Sequence, residues 1–590
     1  MDALDRLQPV SGRPWRMRPV DLRVARAIQE RYGLPELLAR VVVGRGVSLD
    51  EVEHHLAPSL RHGLPNPSIL KDMDKAAERI ARAIRSREPT AVFADYDVDG
   101  AAAAAVLIRQ FRALGHGAQL YVPDRRGEGY GLNAAALTAL AAQGVRLVIA
   151  VDCGTTAFEA LAAGAAAGLE VIVLDHHSPE AGLPPAYALV NPNRLDESAE
   201  TTRQLGAVAA CGLAFLAAVA VNRAMRNAGG FAGRAEPDLR ELLDIVALGT
   251  VCDVVPLSGV NRVFVARGLQ AMARRRNCGL AALADRAGIA QPVDAEHLGF
   301  LLGPRINAGG RIGRADLGAR LLATDDPLEA AEIAGILDGH NADRRAIEAA
   351  VLDAALMAAE RDGPPGALVM AAGEGWHEGV VGIVAARLKE RYQRPAIVAA
   401  VTEGIAKGSG RSMPGIDLGA AVADARRAGL VIAGGGHPMA AGFTASADRL
   451  EELRAFLADR MGATRATAAA QTIDLDGTMA VSAALDGTMA TSLARLGPFG
   501  SGYPEPRFLV PAARVVQAAT VGSDHIRFRL TDAGGHWLGA IAFRAAGTPL
   551  GDALLAGGSA ALHLVGALRI DRWQGRERVS FRVEDAARPW

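Results

Sequence analysis

Three short apolar segments in the first half of the chain each lead directly into acidic residues. They are AVFA (91–94), LVIAV (147–151) and VIVL (171–174), and none of them contains proline. Ala-rich amphipathic stretches separate them, as expected where buried parallel strands alternate with crossover helices. The carboxyl ends of such strands open the ligand crevice of a parallel sheet. The sequence therefore predicts an α/β fold over residues 90–260, with acidic residues gathered at one edge of its sheet.

A long helix is predicted after this region, over about residues 326–361. Asp326 has the position of an N-cap, Pro327 stands in the first turn, and Gly363-Pro364-Pro365 follows the last turn. A helix of this length reads as a spacer, so we expect it to join two separate lobes.

The remainder predicts a second α/β lobe followed by a small β domain. The lobe covers 366–460; its predicted features are strands near 367–371 and 396–401 and Gly-rich turns at 408–410 and 434–436. From about residue 508 the apolar period becomes two, as in HIRFRL (525–530) and VSFRV (579–583). Alternating strands over about 80 residues suit a small antiparallel β-barrel such as an OB-fold.

Composition limits the classes of function. The 590 residues include 64 Lys+Arg and 65 Asp+Glu, so a polyanion would have to be held by local cationic groups. The four cysteines are scattered, which favours a reducing cytoplasm, and the N-terminus has no apolar stretch behind a basic start. The apolar runs at 101–108 and 206–220 are shorter than the roughly 18 residues of a membrane span. We expect a cytoplasmic protein without membrane attachment, with both runs forming buried helices.

The acidic residues after the strands form the candidate chemical site. They comprise Asp95, Asp97 and Asp99 in DYDVDG (95–100), Asp152 in VDCGT (151–155), Asp175, His176 and His177 in DHH (175–177), and Asp253 in CDVVP (252–256). An EF-hand loop is excluded because its twelfth position needs Glu, whereas this chain has Val106. DYDVDG alone leaves open a haloacid-dehalogenase-like phosphatase with an Asp nucleophile. Together, Asp oxygens and imidazole without thiolate predict two divalent ions, Mn²⁺ or Mg²⁺. Cys153 and Cys252 are interpreted as packing residues.

DYDVDG, VDCGT, DHH and GTVCDVVPL (249–257) resemble, in order and spacing, the four motifs of the DHH phosphoesterase superfamily. The resemblance implies metal ligation by Asp97, Asp99, Asp152, His176 and Asp253, with Asp95 and Asp175 as supports. It also implies catalytic roles for Asp152, His176 and His177, and a bridging hydroxide as nucleophile.

Further segments resemble the RecJ family within that superfamily. They are YVPDRRGEGYGLN (121–133), GPRINAGGRIG (303–313), GWHEGVVGIVAARL (375–388), KGSGRS (407–412), GGGHPMAAGF (434–443) and LGPFGSGYPEPRF (496–508). This resemblance implies a 5′→3′ exonuclease for single-stranded DNA in recombination and repair. It further implies a monomer that works with a helicase and a single-strand-binding protein.

The same resemblance assigns domains. We expect an N-terminal helical segment packing on the catalytic lobe (1–68), a DHH catalytic domain (69–320), the connecting long helix (321–364), a DHH-associated substrate-binding domain (365–465), and a linker with the OB-fold (466–590).

Substrate contacts are expected in three places. Arg305, Asn307 and Arg311 suit strand phosphates, although the two arginines equally suit bracing of the long helix. In the second lobe, Gly turns with free backbone N–H groups are expected to hold a phosphate, through Ser409, Arg411, Gly436 and His437. On the β domain the candidates are Arg527, Arg529, Arg569, Arg572 and Trp573, against the alternative of a solvated strand face. Trp376 and His377 are equally suited to packing and to substrate contact.

Four departures from the family pattern concern local contacts. Ala101–Ala105 stand where a hydroxyl residue often begins the helix, and Gly309, Tyr503 and Asp571 replace expected Ala, Asn and Asn. Two other functions stay open: a DHH phosphodiesterase for small molecules or cyclic dinucleotides, and a noncatalytic single-strand-binding scaffold.

Overall fold

The computed structural model describes residues 3–124, 127–129, 131–290, 292–361, 366–465, 472–485, 487–522, 524–556, 561–573 and 576–589. It contains two α/β lobes, a connecting helix and a closed β-barrel. The two-lobe architecture with a barrel agrees with the predicted fold class.

The N-terminal segment is mainly helical. Its elements are β1 (Trp15–Met17), α1 (Leu22–Tyr32), α2 (Glu36–Gly44), α3 (Val52–Leu56) and α4 (Leu60–Gly63). The prediction that this segment packs on the catalytic lobe is wrong for most of it. Its buried residues, Ile28 and Leu38 among them, share a core with barrel residues such as Phe508, and β1 pairs in parallel with the strand Ile473–Leu475. Among the described residues of this segment, those from Leu60 to about residue 68 pack on the catalytic lobe, with Leu60 and Leu64 against its main core.

The first lobe is built on a parallel sheet. Its elements are α5 (Met73–Ser86), β2 (Thr90–Ala94), α6 (Val98–Ala113), β3 (Ala118–Tyr121), α7 (Ala134–Ala142), β4 (Leu147–Val151), α8 (Phe158–Ala166), β5 (Glu170–Leu174), β6 (Ala188–Val190), α9 (Ala199–Leu205), α10 (Ala210–Asn227), α11 (Leu243–Cys252), α12 (Gly259–Met272), α13 (Cys278–Arg286), α14 (Ala295–His297), α15 (Gly303–Ile312) and α16 (Leu317–Ala323). A π-helical turn, Leu298–Leu302, separates α14 from α15. The strands lie in the order β3-β2-β4-β5-β6, all parallel.

Both faces of this sheet are covered. β2 and β4 are buried along their whole length, as their continuous apolar sequences predict. The Ala-rich helices α6 and α10 cover one face, and α7 and α8 cover the other. Among the described residues no single helix is long and apolar enough to cross a membrane. The pair α9 and α10, bent by 114° at the break between them, passes the same test of length and composition when taken together.

The connecting helix α17 (Pro327–Arg361) begins where the sequence predicts. Asp326 caps it by accepting a hydrogen bond from Leu328 N at 2.9 Å. The residues proposed to end it, 363–365, lie outside the described residues. α17 packs on α13 and α15 of the first lobe and on elements of the second, so it bridges the two lobes.

The second lobe has a mixed sheet. Its elements are β7 (Val369–Glu374), α18 (Val381–Tyr392), β8 (Ala396–Thr402), β9 (Ile405–Arg411), α19 (Leu418–Arg427), β10 (Ala433–His437), β11 (Ala440–Ser446) and α20 (Leu450–Arg465). The strand order is β10-β11-β9-β8-β7. The predicted Gly-rich turns at 408–410 and 434–436 are wrong, because these residues lie inside β9 and β10.

Packing explains these glycines. A Cβ on Gly408 would lie 2.2 Å from Phe443 Cζ, and one on Gly434 would lie 3.0 Å from Phe443 Cβ. Glycine is therefore needed for close approach across the sheet rather than for chain reversal.

The C-terminal domain is a five-stranded barrel. Its elements are β12 (Ile473–Leu475), β13 (Gly477–Thr478), α21 (Val481–Ala484), α22 (Gly487–Ala494), β14 (Arg507–Val521), β15 (His525–Thr531), β16 (Trp537–Ala542), α23 (Pro549–Leu555), β17 (Ala561–Trp573) and β18 (Arg576–Ala587). The order β14-β15-β16-β18-β17 closes through pairing of β17 with β14. In β15, Ile526, Phe528 and Leu530 are buried, whereas Arg527 and Arg529 are exposed, which confirms the period of two.

Candidate metal centre and nucleic-acid interface

The predicted acidic residues converge at the carboxyl edge of the parallel sheet. Asp95, Asp97 and Asp99 follow β2, Asp152 follows β4, and the DHH segment follows β5. Asp253 joins them from the end of α11. Three groups have ligand atoms within 4.8 Å of one another: Asp95, Asp97 and Asp152; Asp99, His176 and Asp253; and Asp152, His176 and His177. The structure thus brings together all eight residues that the motifs singled out.

Helix termini fix the first carboxylates. Asp97 is the N-cap of α6 and accepts a hydrogen bond from Gly100 N at 3.0 Å. Asp99, buried in the first turn of α6, accepts hydrogen bonds from Ala210 N at 2.6 Å and Cys211 N at 2.9 Å. These amides begin α10, and the positive end of a helix favours a carboxylate. Two backbone amides therefore hold Asp99 in place.

His176 lies between three carboxylates. Its Nε2 is 3.3 Å from Asp152 Oδ1 and 3.9 Å from Asp99 Oδ2, and its Nδ1 is 3.7 Å from Asp253 Oδ2. Asp152 has φ 62°, a left-handed conformation that is uncommon outside glycine. Within the described part of the chain, the buried atoms Asp152 Oδ1 and Asp253 Oδ2 accept no hydrogen bond. Buried carboxylate oxygens normally have a donor or a cation, so these two atoms suit coordination of a metal ion.

Asp175 supports the site from beneath. Its Oδ1 accepts hydrogen bonds from His177 Nδ1 at 2.7 Å and from His176 N at 2.8 Å, and its Oδ2 accepts one from Thr155 N at 2.9 Å. Burial opposes ionisation of Asp175, but these hydrogen bonds prevail and lower its pKa below the usual range. Burial likewise opposes protonation of His177, but the hydrogen bond and charge of Asp175 outweigh it and raise the pKa of His177 to about 9. Asp175 and His177 thus form an ion pair at neutral pH.

The other carboxylates repel one another. Burial and the charges of Asp97 and Asp99 raise the pKa of Asp152 well above its ordinary value. Burial and the same two charges raise the pKa of Asp253 to about 9. Carboxylates with this mutual repulsion and one imidazole form a donor set that suits Mn²⁺ or Mg²⁺. Burial raises the pKa of Cys153 and Cys252, so these thiols stay protonated, in keeping with their interpretation as packing residues.

Sequence reasoning missed two asparagines that hold the DHH segment. Asn191 Nδ2 donates hydrogen bonds to His177 O at 2.9 Å and Thr155 Oγ1 at 2.8 Å. Asn193 Nδ2 donates to His176 O at 2.7 Å. Both follow β6, so the available signal was polar residues after a fourth buried apolar strand, in NPN (191–193).

The arginines of α15 brace other elements. Arg305 pairs with Asp338 of α17 at 2.9 Å and donates to Leu301 O, which supports the bracing alternative for this residue. Arg311 Nη1 donates to Gly379 O at 2.9 Å and so links the two lobes. Asn307 is half-buried on the same helix.

Arg411 is the best-placed candidate for holding a phosphate. Its Nη1 donates to Ser409 Oγ at 3.1 Å and Gly410 O at 2.8 Å. Burial lowers the pKa of Arg411, and no carboxylate of the described residues pairs with it. A half-buried guanidinium without a carboxylate favours an anionic ligand. Gly436 (φ 152°) and exposed His437 lie in β10, two strands from Arg411 in the sheet.

Trp376 and His377 make contacts within their own lobe. Trp376 packs against the core between α18 and the sheet, and a Cβ on Gly373 would clash with its indole ring. His377 Nδ1 accepts a hydrogen bond from Gly379 N at 3.0 Å.

Ion pairs favour a bracing role for Arg569, one of the predicted DNA contacts on the barrel. Arg569 lies between Glu505, which precedes β14, and Glu296 of α14, and its pairing with Glu296 links the barrel to the first lobe. Arg529 stacks on exposed Trp537, with the guanidinium carbon 4.3 Å from the ring centroid. The side chains of Asp571, Arg572 and Trp573 lie outside the described residues.

The remaining departures from the family pattern have packing roles. Ala101–Ala105 are buried in the main core of the first lobe. A Cβ on Gly309 would lie 3.0 Å from Leu337 of α17. Tyr503 lies between Arg45 and Arg262, each 4.6 Å from its ring centroid, and its hydroxyl is 2.7 Å from His55 Nε2.

A parallel sheet with this edge of carboxylates and histidines defines a phosphoesterase of the DHH class. Residues 89–250 match the DHH family N-terminal domain, residues 365–463 the DHHA1 domain and residues 475–585 the RecJ OB domain. The single-stranded-DNA-specific exonuclease RecJ of Dickeya dadantii is 37% identical over 93% of this chain and 96% of its own length. The protein of the same name from Bacillus subtilis is 32% identical over 97% and 70%.

The crystal structure of RecJ from Thermus thermophilus in complex with Mn²⁺ has a TM-score of 0.79 and 28% identity over 98% of this chain and 80% of its own. The chain belongs to the RecJ family of single-stranded-DNA-specific exonucleases. Relatives named as single-stranded-DNA-specific exonucleases match most of the chain. The small-molecule phosphodiesterase and the noncatalytic scaffold are therefore not favoured.

Proposed function

We propose that this chain is a metal-dependent exonuclease that hydrolyses single-stranded DNA from its 5′ end. The observation that carries this is the convergence of Asp97, Asp99, Asp152, His176 and Asp253, with two buried carboxylate oxygens that accept no hydrogen bond from the described residues. The names of the relatives supply the substrate class, and the 5′ polarity comes from the family resemblance.

These five residues would hold two divalent ions. Ions bound there would activate a water molecule as nucleophile and stabilise charge on the phosphate. Asp99 is positioned for this role by the α10 amides, and Asp152 by its left-handed backbone.

The residues beside the ligands would manage protons. His177, kept protonated by Asp175, can donate a hydrogen bond to a phosphate oxygen or a proton to the departing oxygen. Because Asp175 Oδ1 also binds the amides of both histidines, it fixes the ring of His177 and the backbone of His176 together.

The second lobe would grip the strand. Arg411, held by Ser409, supplies a cation without a carboxylate partner, and His437 and the exposed backbone of Gly436 lie in the same sheet. Asn307 and Arg311 lie on α15 at the junction of the lobes. On the barrel, Arg527 and Arg529 are exposed on β15, and Arg529 lies beside Trp537, which suits sequence-tolerant and salt-sensitive binding.

Degradation of single-stranded DNA labelled separately at each end tests the proposal. With Mn²⁺, the 5′ label should appear first in mononucleotides, while the 3′ label should stay on progressively shorter strands, and a duplex control should persist. Early release of the 3′ label would contradict the polarity. Absence of any cleavage, with binding retained, would indicate a DNA-binding scaffold.

The wider setting rests on the resemblance. We infer action in recombination and repair in a bacterial cytoplasm, as a monomer that cooperates with a helicase and a single-strand-binding protein. Sedimentation of the purified chain tests the oligomeric state directly.

A further inference from the structure

Two large apolar side chains are exposed beside the metal-site residues. Val254, the residue after Asp253, is 67% exposed, and Phe300 is 66% exposed. Phe300 occupies the middle of the π-helical turn Leu298–Leu302. It has no ring contact with any other residue that the structure describes, so its face is available to a ligand.

The segments that carry these two side chains pack together. Cys252 Sγ donates a hydrogen bond to Leu298 O at 3.5 Å. A Cβ on Gly299 would lie 3.5 Å from Val251 Cγ1. Val254 and Phe300 are each within two residues of one of these contacts. Val254 and Phe300 therefore belong to one surface next to Asp253, formed by residues 251–254 and 298–300, which we call the rim.

The backbone of both segments is unusual. Val254 has φ 61°, and the left-handed region is strongly disfavoured for a β-branched residue. Phe300 lies in a π-helical turn, a rare conformation that is frequent at functional sites. Strained or rare backbone that persists beside a site indicates that the side-chain positions it creates are used there.

Ion pairs also connect the segment before Phe300 to the barrel. Glu296, four residues before Phe300, pairs with Arg569 and with Arg582 at 3.3 Å. Arg582 in turn stacks on exposed Phe543, 4.7 Å from its ring centroid. Exposed Phe543 of the barrel is thus joined through Arg582 and Glu296 to the segment that carries Phe300.

We infer that Phe300 and Val254 form a binding site for one nucleotide base beside the metal centre. Phe300 stacks on an unpaired nucleobase, and Val254 packs against the adjoining sugar or base, while the phosphate of that strand lies at the carboxylates. This inference rests on the proposed function and deepens it, because it names the residues that would recognise an unpaired base. A base in a duplex is already stacked and paired, so it would gain nothing from this site.

The test combines protein variants with abasic DNA. Equilibrium binding of fluorescent single strands in Ca²⁺, and KM and kcat in Mn²⁺, would be measured for the native chain, Phe300→Ala, Phe300→Trp and Val254→Ala. Leu328→Ala is the matched control, because Leu328 is 81% exposed but lies at the start of α17. A single abasic position would be moved along the strand in a series of oligonucleotides.

Phe300→Ala should weaken binding and raise KM by roughly 5- to 150-fold, the range for loss of one base–aromatic stack, with kcat nearly unchanged. Phe300→Trp should restore affinity, Val254→Ala should weaken it less, and Leu328→Ala should match the native chain. At one abasic position, the affinity of the native chain should fall by as much as Phe300→Ala lowers it on intact DNA. Phe300→Ala should bind this abasic strand as well as it binds intact DNA.

The inference would be overturned if Phe300→Ala bound DNA with native affinity. It would also be overturned if the affinity losses from Phe300→Ala and from the abasic site were additive at every position. Neither result would affect the exonuclease proposal. Failure of the native chain itself to bind or cleave single strands would overturn both.

Discussion

Arg262 is the residue whose removal should most weaken the junction between the first lobe and the barrel. It is 6% exposed and donates to four carbonyl oxygens: His55 at 3.2 Å, Leu496 at 2.6 Å, Gly497 at 3.0 Å and Pro498 at 3.1 Å. No carboxylate among the described residues pairs with it. Arg262→Met replaces the aliphatic part of the side chain but leaves these oxygens without the guanidinium donor.

The expected cost follows from the number of carbonyls. A buried acceptor left without a partner costs about 1–3 kcal/mol, and water reaches some of these oxygens once the cation is gone. We therefore take about 1 kcal/mol for each, or about 4 kcal/mol in total. If this lowers the free energy of opening the junction, hydrogen exchange there should accelerate by roughly a thousandfold.

Exchange followed by mass spectrometry would check this at two amides that report on the junction. Leu257 N donates to Ser501 O at 2.8 Å, and Tyr503 N donates to Gly500 O at 3.1 Å. Arg267→Met is the control, because Arg267 lies on the same helix and donates to Gln270 at the surface. Equal exchange in the two variants would refute the reasoning that the carbonyl cluster depends on Arg262.

Three other predictions address acid sensitivity, packing and metal. Burial and the charges of Arg262 and Arg45 lower the pKa of His55 from 6.5 to about 4, so the folded state binds fewer protons than the unfolded state between these values. The stabilising effect of neutral His55 is present above pH 6.5 and is lost as pH falls towards 4, so the junction should open more readily in acid. His55→Gln should reduce this effect of acid, measured by the same hydrogen exchange. Gly408→Val should lower the apparent Tm by several degrees, since its Cβ would meet the Phe443 ring, whereas Gly442→Ala, whose Cβ has ordinary contacts, should not. Mn²⁺ at 100 times its Kd should stabilise the chain by about 2.7 kcal/mol, and a chelator or Asp253→Asn should remove most of this shift in a thermal melt.

The sequence was sufficient for the metal centre because its signals are local. Each acidic motif directly follows an apolar strand, and parallel strands align their carboxyl ends, so Asp97, Asp152 and His176 could be placed together without knowing any distance. The capping of α17 by Asp326 and the alternation in β15 were predictable for the same reason.

Features that depend on distant segments were not predictable. Gly408 and Gly434 resemble turn residues in the sequence, but in the sheet Gly408 leaves room for the ring of Phe443 and Gly434 for its Cβ. The N-terminal segment gave no sign that β1 would pair with a strand some 450 residues later. Arg569 has the type and spacing of a DNA contact, but its partner Glu296 comes from the first lobe. Asn191 and Asn193 stand after β6, but their hydrogen bonds to the backbone carbonyls of the DHH segment are visible only in the folded chain.

We propose that the carboxylate cluster at the sheet edge carries out metal-dependent hydrolysis of single-stranded DNA. The most direct test is Mn²⁺-dependent nucleotide release by the native chain, Asp152→Asn and Asp244→Asn. Asp244 is a matched control because it is also a buried carboxylate, with a pKa raised by burial to about 6, but it lies in α11 outside the three ligand groups. If Asp152 holds the catalytic ions, the native chain and Asp244→Asn should release nucleotides, and Asp152→Asn should lose at least a hundredfold in rate. Native-like release by Asp152→Asn would contradict it.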